Sequence, residues 1–93
     1  MKSIHFDVEQ SGFYGAYWKC EQPSDCALIA MLGDDPEDYL ARSAVKWVIR
    51  QEINVLTMSP AKKDYGHHNY PLERIEAAIC WLKANGNRKI GIV

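Results

Sequence analysis

The densest group of side chains capable of acid–base or metal chemistry lies in a polar loop beyond the middle of the chain. His67 and His68 are adjacent there and follow Asp64 and Tyr65. A neutral imidazole can serve as a general base or as a metal ligand. Neighbouring residues of an extended segment point to opposite sides, however, and no third ligand has a metal-site spacing. We therefore expect no metal and take solvated histidines as the default. The functional alternative is a substrate-lining loop formed by Ser59, Tyr65, His67 and His68.

A second group consists of Gly33, Asp34 and Asp35, which stand between an apolar run and a segment that begins with Pro36. Aspartate is a preferred N-cap and proline a preferred first helical residue, so Asp35 and Pro36 predict the start of a helix. The functional interpretation is that a backbone N–H of this turn donates to a developing oxyanion. The residues themselves leave both interpretations open.

The three cysteines, Cys20, Cys26 and Cys80, have no zinc-type spacing, and their number is odd. We interpret them as reduced thiols of a cytoplasmic protein. Cys80 lies beside an apolar helix face and has no His or Asn at helical spacing that would activate it. It is therefore predicted to be a small core residue and not a nucleophile.

Composition limits the classes of function. The 93 residues are 47% hydrophobic and include three Trp and five Tyr, which is too apolar and aromatic for a disordered chain. The formal net charge is −1 from 11 basic and 12 acidic residues, so no basic field predicts nucleic-acid binding. No run approaches the roughly 20 apolar residues of a membrane span. No cofactor is predicted.

The first part of the scaffold is a predicted antiparallel hairpin. Polar and apolar residues alternate over residues 3–9, as in a half-buried strand, and this alternation puts His5 on the exposed side. Aromatic residues over 13–20 predict a second strand, joined to the first by a turn at residues 10–12.

Several residues of the predicted elements carry more specific expectations. Gly15 indicates a bulge or a close approach of another backbone. Tyr17 and Trp18 are expected to pack against aromatic neighbours across the hairpin, with support of a neighbouring domain as the alternative. Trp47 and Trp81 fall on predicted helices and are interpreted as core or rim packing.

Three further strands and two helices are predicted after the hairpin. Residues 26–32 (CALIAML) have strand length and no alternation, which predicts burial on both faces. Residues 53–59 and 89–93 predict the other strands, and residues 36–51 and 71–85 predict the helices, the second ending at Asn85-Gly86.

Each helix is predicted to have one packing face. In the first helix this face comprises Leu40, Ala44, Trp47 and Val48, and the polar stripe comprises Asp38, Arg42, Lys46 and Arg50. In the second helix the packing face comprises Leu72, Ile75, Ala78, Ile79 and Leu82.

The order hairpin, strand, helix, strand, helix, strand contains two consecutive strand–helix–strand crossovers. Such crossovers put parallel strands side by side and helices on the faces of the sheet. Residues 1–93 are therefore predicted to be the N-terminal portion of a single α/β domain, with an N-terminal hairpin, parallel strands and three layers. Its final strand is apolar like a central strand, so the sheet is expected to be incomplete.

Four stretches resemble the α/β-hydrolase superfamily. Residues 26–35 (CALIAMLGDD) resemble its third strand and oxyanion loop, and residues 55–60 (VLTMSP) resemble its fourth strand. Residues 70–82 (YPLERIEAAICWL) resemble the helix before the nucleophile strand. Residues 89–93 (KIGIV) resemble that strand, which in this superfamily runs into a Gly-x-Ser-x-Gly elbow. The nearest resemblance is to the group of acyl-CoA thioester hydrolases and bile-acid-CoA:amino-acid N-acyltransferase C-terminal domains, with dienelactone-hydrolase-like proteins as relatives.

The resemblance implies an enzyme that acts on acyl thioesters or esters. A serine or cysteine after Val93 would attack the carbonyl, and the loop carrying Gly33, Asp34 and Asp35 would help to hold the oxyanion. The nucleophile, acid and histidine of the family all come later than position 93. No catalytic residue is therefore assigned within this chain, which is expected to be inactive alone. The resemblance also implies the spatial strand order first, second, fourth, third, fifth.

The expected partner is the C-terminal remainder of the same enzyme, as a separate or nicked chain that adds strands beside residues 90–93. A second copy of the chain is the weaker candidate, and neither nucleic acid nor membrane is expected.

Two other functions stay open. One is a non-catalytic α/β module that binds a phosphate-bearing ligand. The turn at Gly33 argues against it, because it has one glycine and lacks the phosphate-binding motif Gly-x-Gly-x-x-Gly. The other is a structural domain that dimerises through an open sheet edge.

Overall fold

The computed structural model describes residues 3–31, 37–58 and 72–93. The described strands are β1 (Ser3–Phe6), β2 (Gly15–Trp18), β3 (Cys26–Met31), β4 (Asn54–Met58) and β5 (Lys89–Ile92). The described helices are α1 (Val8–Ser11), α2 (Tyr39–Ile49) and α3 (Leu72–Ala84). All five predicted strands and both predicted helices are present with ends shifted by a few residues, so the chain is a small mixed α/β domain.

The described strands form one mixed sheet in the order β1-β2-β4-β3-β5, which is the predicted order. Strand β2 pairs antiparallel with both β1 and β4, whereas β3 pairs parallel with β4 and with β5. The close approach predicted at Gly15 is confirmed, because a Cβ there would lie 2.5 Å from the carbonyl oxygen of Thr57. This glycine lets β2 lie against β4.

The prediction of a strand over residues 3–9 is wrong beyond Phe6, because residues 8–11 form the short helix α1. Asp7 begins this turn: its side chain accepts from the Gln10 N–H at 2.8 Å, and its carbonyl accepts from the Ser11 N–H at 3.0 Å. The aspartate satisfies the first free N–H donors of the helix, and this stabilisation outweighs the strand preference indicated by the alternation of polar and apolar residues. Gly12, with φ of 84°, then redirects the chain towards β2.

Two hydrophobic clusters lie on opposite faces of the sheet. Tyr17 and Leu56 contribute to the cluster that contains Ala78 and Leu82 of α3. Their strand neighbours Trp18 and Val55 contribute to the cluster that contains Val45 of α2. Successive strand residues point to opposite faces, so α2 and α3 cover opposite sides and the domain has three layers.

The aromatic residues of β2 are therefore separated by the sheet. The ring of Tyr17 lies 4.8 Å from the ring of Trp81 in a T-shaped contact, and Trp81 makes a similar contact with Phe6. Trp18 donates its indole N–H to Thr57 Oγ1 at 3.0 Å on the other side. The aromatic partner that the structure shows for Tyr17 is the helical Trp81, whereas an aromatic neighbour across the hairpin was predicted.

Helix α2 differs from its prediction at both its start and its packing face. Its N-cap is Asp38, whose side chain accepts from the Ala41 N–H at 2.9 Å, so the assignment of the cap to Asp35 is wrong. The residues buried on α2 are Ala41 and Val45. Leu40 is 68% exposed and Trp47 is 72% exposed, so their assignment to the packing face is wrong, whereas Val48 packs against the core as predicted. The exposure of Arg42, Lys46 and Arg50 agrees with the predicted polar stripe.

Helix α3 keeps its predicted packing face except at the start. Ala78 and Leu82 are fully buried, whereas Leu72 is exposed. Cys80 is exposed, so its assignment to the core is wrong. The predicted stop is confirmed, because Gly86 has a φ of 91° and its N–H donates to the carbonyl of Lys83.

Strand β5 forms one edge of the described sheet. Ile90 is half-buried against the α3 side of the core, but Ile92 is 54% exposed and Val93 is 75% exposed. Burial on both faces, typical of a central strand, is therefore absent from β5 within the described ranges. Its inner side is fully engaged with β3 over the register Cys26↔Lys89 to Ile29↔Ile92.

Candidate functional site

The carboxyl ends of β4, β3 and β5 meet at one edge of the sheet. Met31 and Met58, the last residues of β3 and β4, are register partners. Val93 continues the ladder, since its N–H donates to the Ile29 carbonyl at 2.9 Å and its carbonyl accepts from the Met31 N–H at 3.4 Å. In most open α/β sheets, the ligand-binding or active site is formed by groups that follow the carboxyl ends of the parallel strands. We call this rim, defined by Met31, Met58 and Val93, the carboxyl edge.

The site residues predicted from the sequence follow this edge along the chain but lie outside the described residues. The oxyanion candidates Gly33, Asp34 and Asp35 come shortly after Met31. The substrate-loop candidates Ser59, Tyr65, His67 and His68 come after Met58. These assignments therefore remain predictions.

A polar cluster of three described residues lies where β1 meets the start of α2. Ser3 donates its hydroxyl to Glu37 Oε1 at 2.7 Å, and Glu37 Oε2 lies 3.7 Å from His5 Nδ1. The ring of Tyr14 meets the ring of His5 edge-on at 5.4 Å between centroids. Ser3 and His5 are two residues apart on one strand and so share a face. Glu37 directly precedes the N-cap Asp38, so the cluster ties the start of α2 to β1.

Serine, histidine and glutamate are the residue types of a hydrolytic triad, but this arrangement cannot work as one. In a triad the histidine lies between the nucleophile and the carboxylate and takes the proton of the hydroxyl. Here Glu37 lies between Ser3 and His5, and the hydroxyl proton already points to the carboxylate. We therefore assign the cluster a positioning role and no nucleophile.

Sequence reasoning missed this cluster because its members are distant along the chain. Ser3 and Glu37 are 34 positions apart, and no local period links them. The available signal was the alternation that puts Ser3 and His5 on one face of β1. His5 was expected to be exposed, and it is exposed while still contacting Tyr14.

The most buried of the three thiols belongs to Cys20, which is 5% exposed. Its Sγ lies 3.0 Å from the Gln22 carbonyl and 3.2 Å from Asn54 Oδ1. Carbonyl and amide oxygens accept a hydrogen bond from the thiol but do not remove its proton, so Cys20 is held as a structural donor. All three cysteines are free, as predicted.

A groove runs beside α2 on the face of the sheet that carries Trp18. One cavity of about 700 Å³ is lined mainly by charged residues of the β2–β3 connection and of the end of α2: Lys19, Glu21, Lys46, Arg50 and Glu52. A second cavity of about 320 Å³ lies towards the start of α2 and is lined by Trp18, Tyr39, Arg42, Ser43 and Lys46. Lys46 lines both cavities, so they adjoin along α2, and we refer to the two cavities together as the groove.

Neither a metal-binding cluster nor a membrane-spanning helix is present in the described ranges. No cluster of three His, Cys, Asp or Glu side chains is arranged to hold a metal ion in residues 3–31, 37–58 and 72–93. None of the helices in the same ranges has the length and apolar character needed to cross a membrane. Comparison of the chain with protein-family models, curated proteins and solved structures found no match.

Proposed function

We propose that this chain is the N-terminal part of an α/β-hydrolase domain that acts on acyl thioesters or esters. The observation that supports this proposal is the strand order β1-β2-β4-β3-β5, with an antiparallel start and a parallel remainder. That order is the one implied by the resemblance of residues 26–35, 55–60, 70–82 and 89–93. Helices α2 and α3 on opposite faces agree with the same three-layer plan.

The chemistry follows from the adjacency of β3 and β5 at the carboxyl edge. A nucleophile placed directly after Val93 would leave the sheet one strand, roughly 5 Å, from the end of β3. Backbone N–H groups of Gly33, Asp34 or Asp35 would then be near enough to donate to the oxyanion. The nucleophile would attack the carbonyl carbon, the carbon–sulfur or carbon–oxygen bond would break, and the leaving group would take a proton. Water or an amine would then accept the acyl group.

The same proposal assigns the outer edge of β5 to the remainder of the enzyme. Val93 donates to and accepts from β3, so the alternation of a parallel ladder turns the backbone groups of Ile90 and Ile92 outward. A strand supplied by the following polypeptide would pair with these two residues. It would also cover the exposed side chain of Ile92.

The test is to express the full-length protein of which this chain is proposed to be a part and to trap its acyl-enzyme. The protein is incubated with an acyl thioester, digested, and searched by mass spectrometry for the acylated residue. We expect the acyl group on a serine or cysteine just after position 93, within a Gly-x-Ser-x-Gly-like turn. Substituting that residue with Ala should abolish turnover, while C80A should leave turnover unchanged.

Two results would contradict the proposal. The first is acylation within residues 1–93 together with loss of turnover in C80A, which would make Cys80 the nucleophile. The second is a natural stop codon after Val93, which would favour a binding or structural domain. The chain of 93 residues, assayed alone, is expected to show no esterase or thioesterase turnover above background.

A further inference from the structure

Cations of α2 line the groove: Lys46 and Arg50 line its larger cavity, and Arg42 and Lys46 line its smaller one. Arg42, Lys46 and Arg50 recur at four-residue spacing, so their backbones are about 6 Å apart along the helix axis. Lys19 faces them from the β2–β3 connection and lines the same cavity as Lys46 and Arg50. The volume of about 700 Å³ falls within the roughly 300–1,000 Å³ of small-molecule sites.

The cations of this groove form no direct ion pair with the carboxylates that line it, within the residues that the structure describes. Glu21 and Glu52 line the same cavity as Lys46 and Arg50, but the only contact between a basic and an acidic side chain found at ion-pair distance within the described ranges is that of His5 with Glu37. Arg42 is held in place by donation from Nε to the Glu37 carbonyl at 3.0 Å. The cationic charge of the groove is therefore available to a bound anion.

Glu52 occupies a backbone conformation that glycine usually takes. Its φ is 61°, in the turn that follows α2, and its N–H donates to the Ile49 carbonyl at 3.0 Å. A left-handed residue at the end of a helix is ordinarily Gly or Asn, because a larger side chain is strained there. The strained residue is thus one that lines the cavity, and residues held in such strain are concentrated at ligand sites.

We propose that this groove binds a phosphate monoester of a polyhydroxy compound, such as a sugar phosphate or a nucleotide. Lys19, Lys46 and Arg50 would donate charge-assisted hydrogen bonds to the phosphate oxygens. Glu21 and Glu52 would accept hydrogen bonds from hydroxyl groups of the organic part. The two carboxylates repel a ligand that is anionic throughout, so the groove favours a phosphate attached to a neutral, hydroxyl-bearing body over free polyphosphate.

This site is separate from the carboxyl edge. The groove's larger cavity lies beside the end of α2 and the residues just after β2, and Trp18 of β2 pairs with Val55 at the start of β4. That is the amino-terminal end of the parallel strands, opposite Met31, Met58 and Val93. The inference therefore does not rest on the hydrolase proposal, and either can fail without the other.

The experiment is a titration of the chain with phosphate esters, followed by two-dimensional NMR of its backbone amides. The probes are AMP and glucose 6-phosphate, and adenosine, glucose and inorganic phosphate serve as comparison ligands. We expect the esters to shift the amide signals of Lys19, Cys20, Lys46 and Arg50, with weaker shifts from phosphate and none from adenosine or glucose.

Four exposed positions give the matched variants. K46Q and R50Q should each weaken ester binding about tenfold or more, since a charge-assisted hydrogen bond is worth that factor. K83Q removes a cation from α3, outside the groove, and should leave affinity unchanged. E52Q should weaken binding of the esters but not of inorganic phosphate, which separates the role of the carboxylate from that of the cations.

The inference is overturned if the esters cause no shifts at millimolar concentration, or if the shifts fall outside the groove. It is also overturned if K46Q and R50Q bind as well as K83Q does. If inorganic phosphate bound as tightly as the esters, the proposal that the groove recognises the polyhydroxy body of the ligand would be rejected. The amide spectra of the free variants report whether each is folded, so a loss of binding through unfolding is recognised directly.

Discussion

The side chains of Asn54 and Asn87, 33 residues apart in the sequence, are joined by a hydrogen bond of 2.9 Å from Nδ2 of Asn54 to Oδ1 of Asn87. Both residues are 1% exposed. Asn54 Oδ1 also accepts from the Cys20 N–H at 3.0 Å, and its amide group donates to the Ser24 carbonyl at 3.2 Å. Asn87 donates to the Tyr17 hydroxyl at 3.2 Å. The pair therefore joins the β2–β3 connection, the start of β4 and the turn before β5.

Removing Asn54 from this network should destabilise the domain. N54A leaves the Cys20 N–H and Asn87 Oδ1 buried without a partner, and each such group costs about 1–3 kcal/mol. We expect the free energy of unfolding to fall by about 3 kcal/mol in urea denaturation followed by tryptophan fluorescence. The control is N85A, because Asn85 is exposed and bonds only locally to the Trp81 carbonyl. If N54A and N85A lost the same free energy of unfolding, the stabilising role assigned to the network would be contradicted.

Gly15 should tolerate no side chain. A Cβ at this position would lie 2.5 Å from the Thr57 carbonyl oxygen, which belongs to backbone and cannot move aside. We expect G15A to lower the free energy of unfolding by about 1–3 kcal/mol, measured by chemical denaturation. The matched variant is G91A, whose Cβ would meet the flexible end of Leu28 at 3.3 Å and should cost much less. If G15A left the free energy of unfolding nearly unchanged, the backbones of β2 and β4 could not approach as closely as described.

These two cases show which parts of the fold a sequence can predict. The strand at Gly15 and the close approach there were predicted because a glycine within an aromatic run is a local signal. The order of the strands was likewise predicted from local periods together with the family resemblance. The network of Asn54 was not predicted, because its partners are set by the assembled sheet and not by any spacing along the chain.

The orientation of α2 illustrates the same limit. Two apolar stripes about 100° apart compete on this helix, one containing Leu40 and Trp47 and the other Ala41 and Val45. The larger side chains favoured the first stripe, but the structure buries the second. Small residues suit a helix that packs over the bulky Trp18, and sequence periodicity carries no information about that fit.

Asp38 should stabilise α2 as its N-cap. Its carboxylate accepts from the Ala41 N–H at 2.9 Å, and loss of a cap commonly costs about 1 kcal/mol. We expect D38A to lower the free energy of unfolding by that amount in urea denaturation. D38N and D38S keep an accepting oxygen and should recover most of the loss. Failure of both to recover stability would mean that charge, and not the hydrogen bond, supplies the effect.

Glu52 should be replaceable by glycine with a gain in stability. Its φ of 61° is strained for any residue with a side chain and relaxed for glycine. We expect E52G to raise the free energy of unfolding by about 1 kcal/mol, read as a higher urea midpoint. E52A keeps the strain and should give no such gain. If E52A stabilised as much as E52G, the effect would come from removing the charge and not from the backbone.

The outer edge of β5 should determine how the chain associates. Ile90 and Ile92 direct their backbone groups away from β3, and Ile92 and Val93 are exposed, so the edge can pair with an added strand. Under the hydrolase proposal this strand comes from the C-terminal remainder of the enzyme, with a second copy of the chain as the weaker candidate. We expect size-exclusion chromatography with denaturing mass spectrometry to find such a companion with the folded chain. I92K adds a charge to the edge strand and should weaken the association, whereas L72K, at an exposed position on α3, should not. A folded monomer of 10.6 kDa that unfolds cooperatively without a companion would show that the domain needs no added strand.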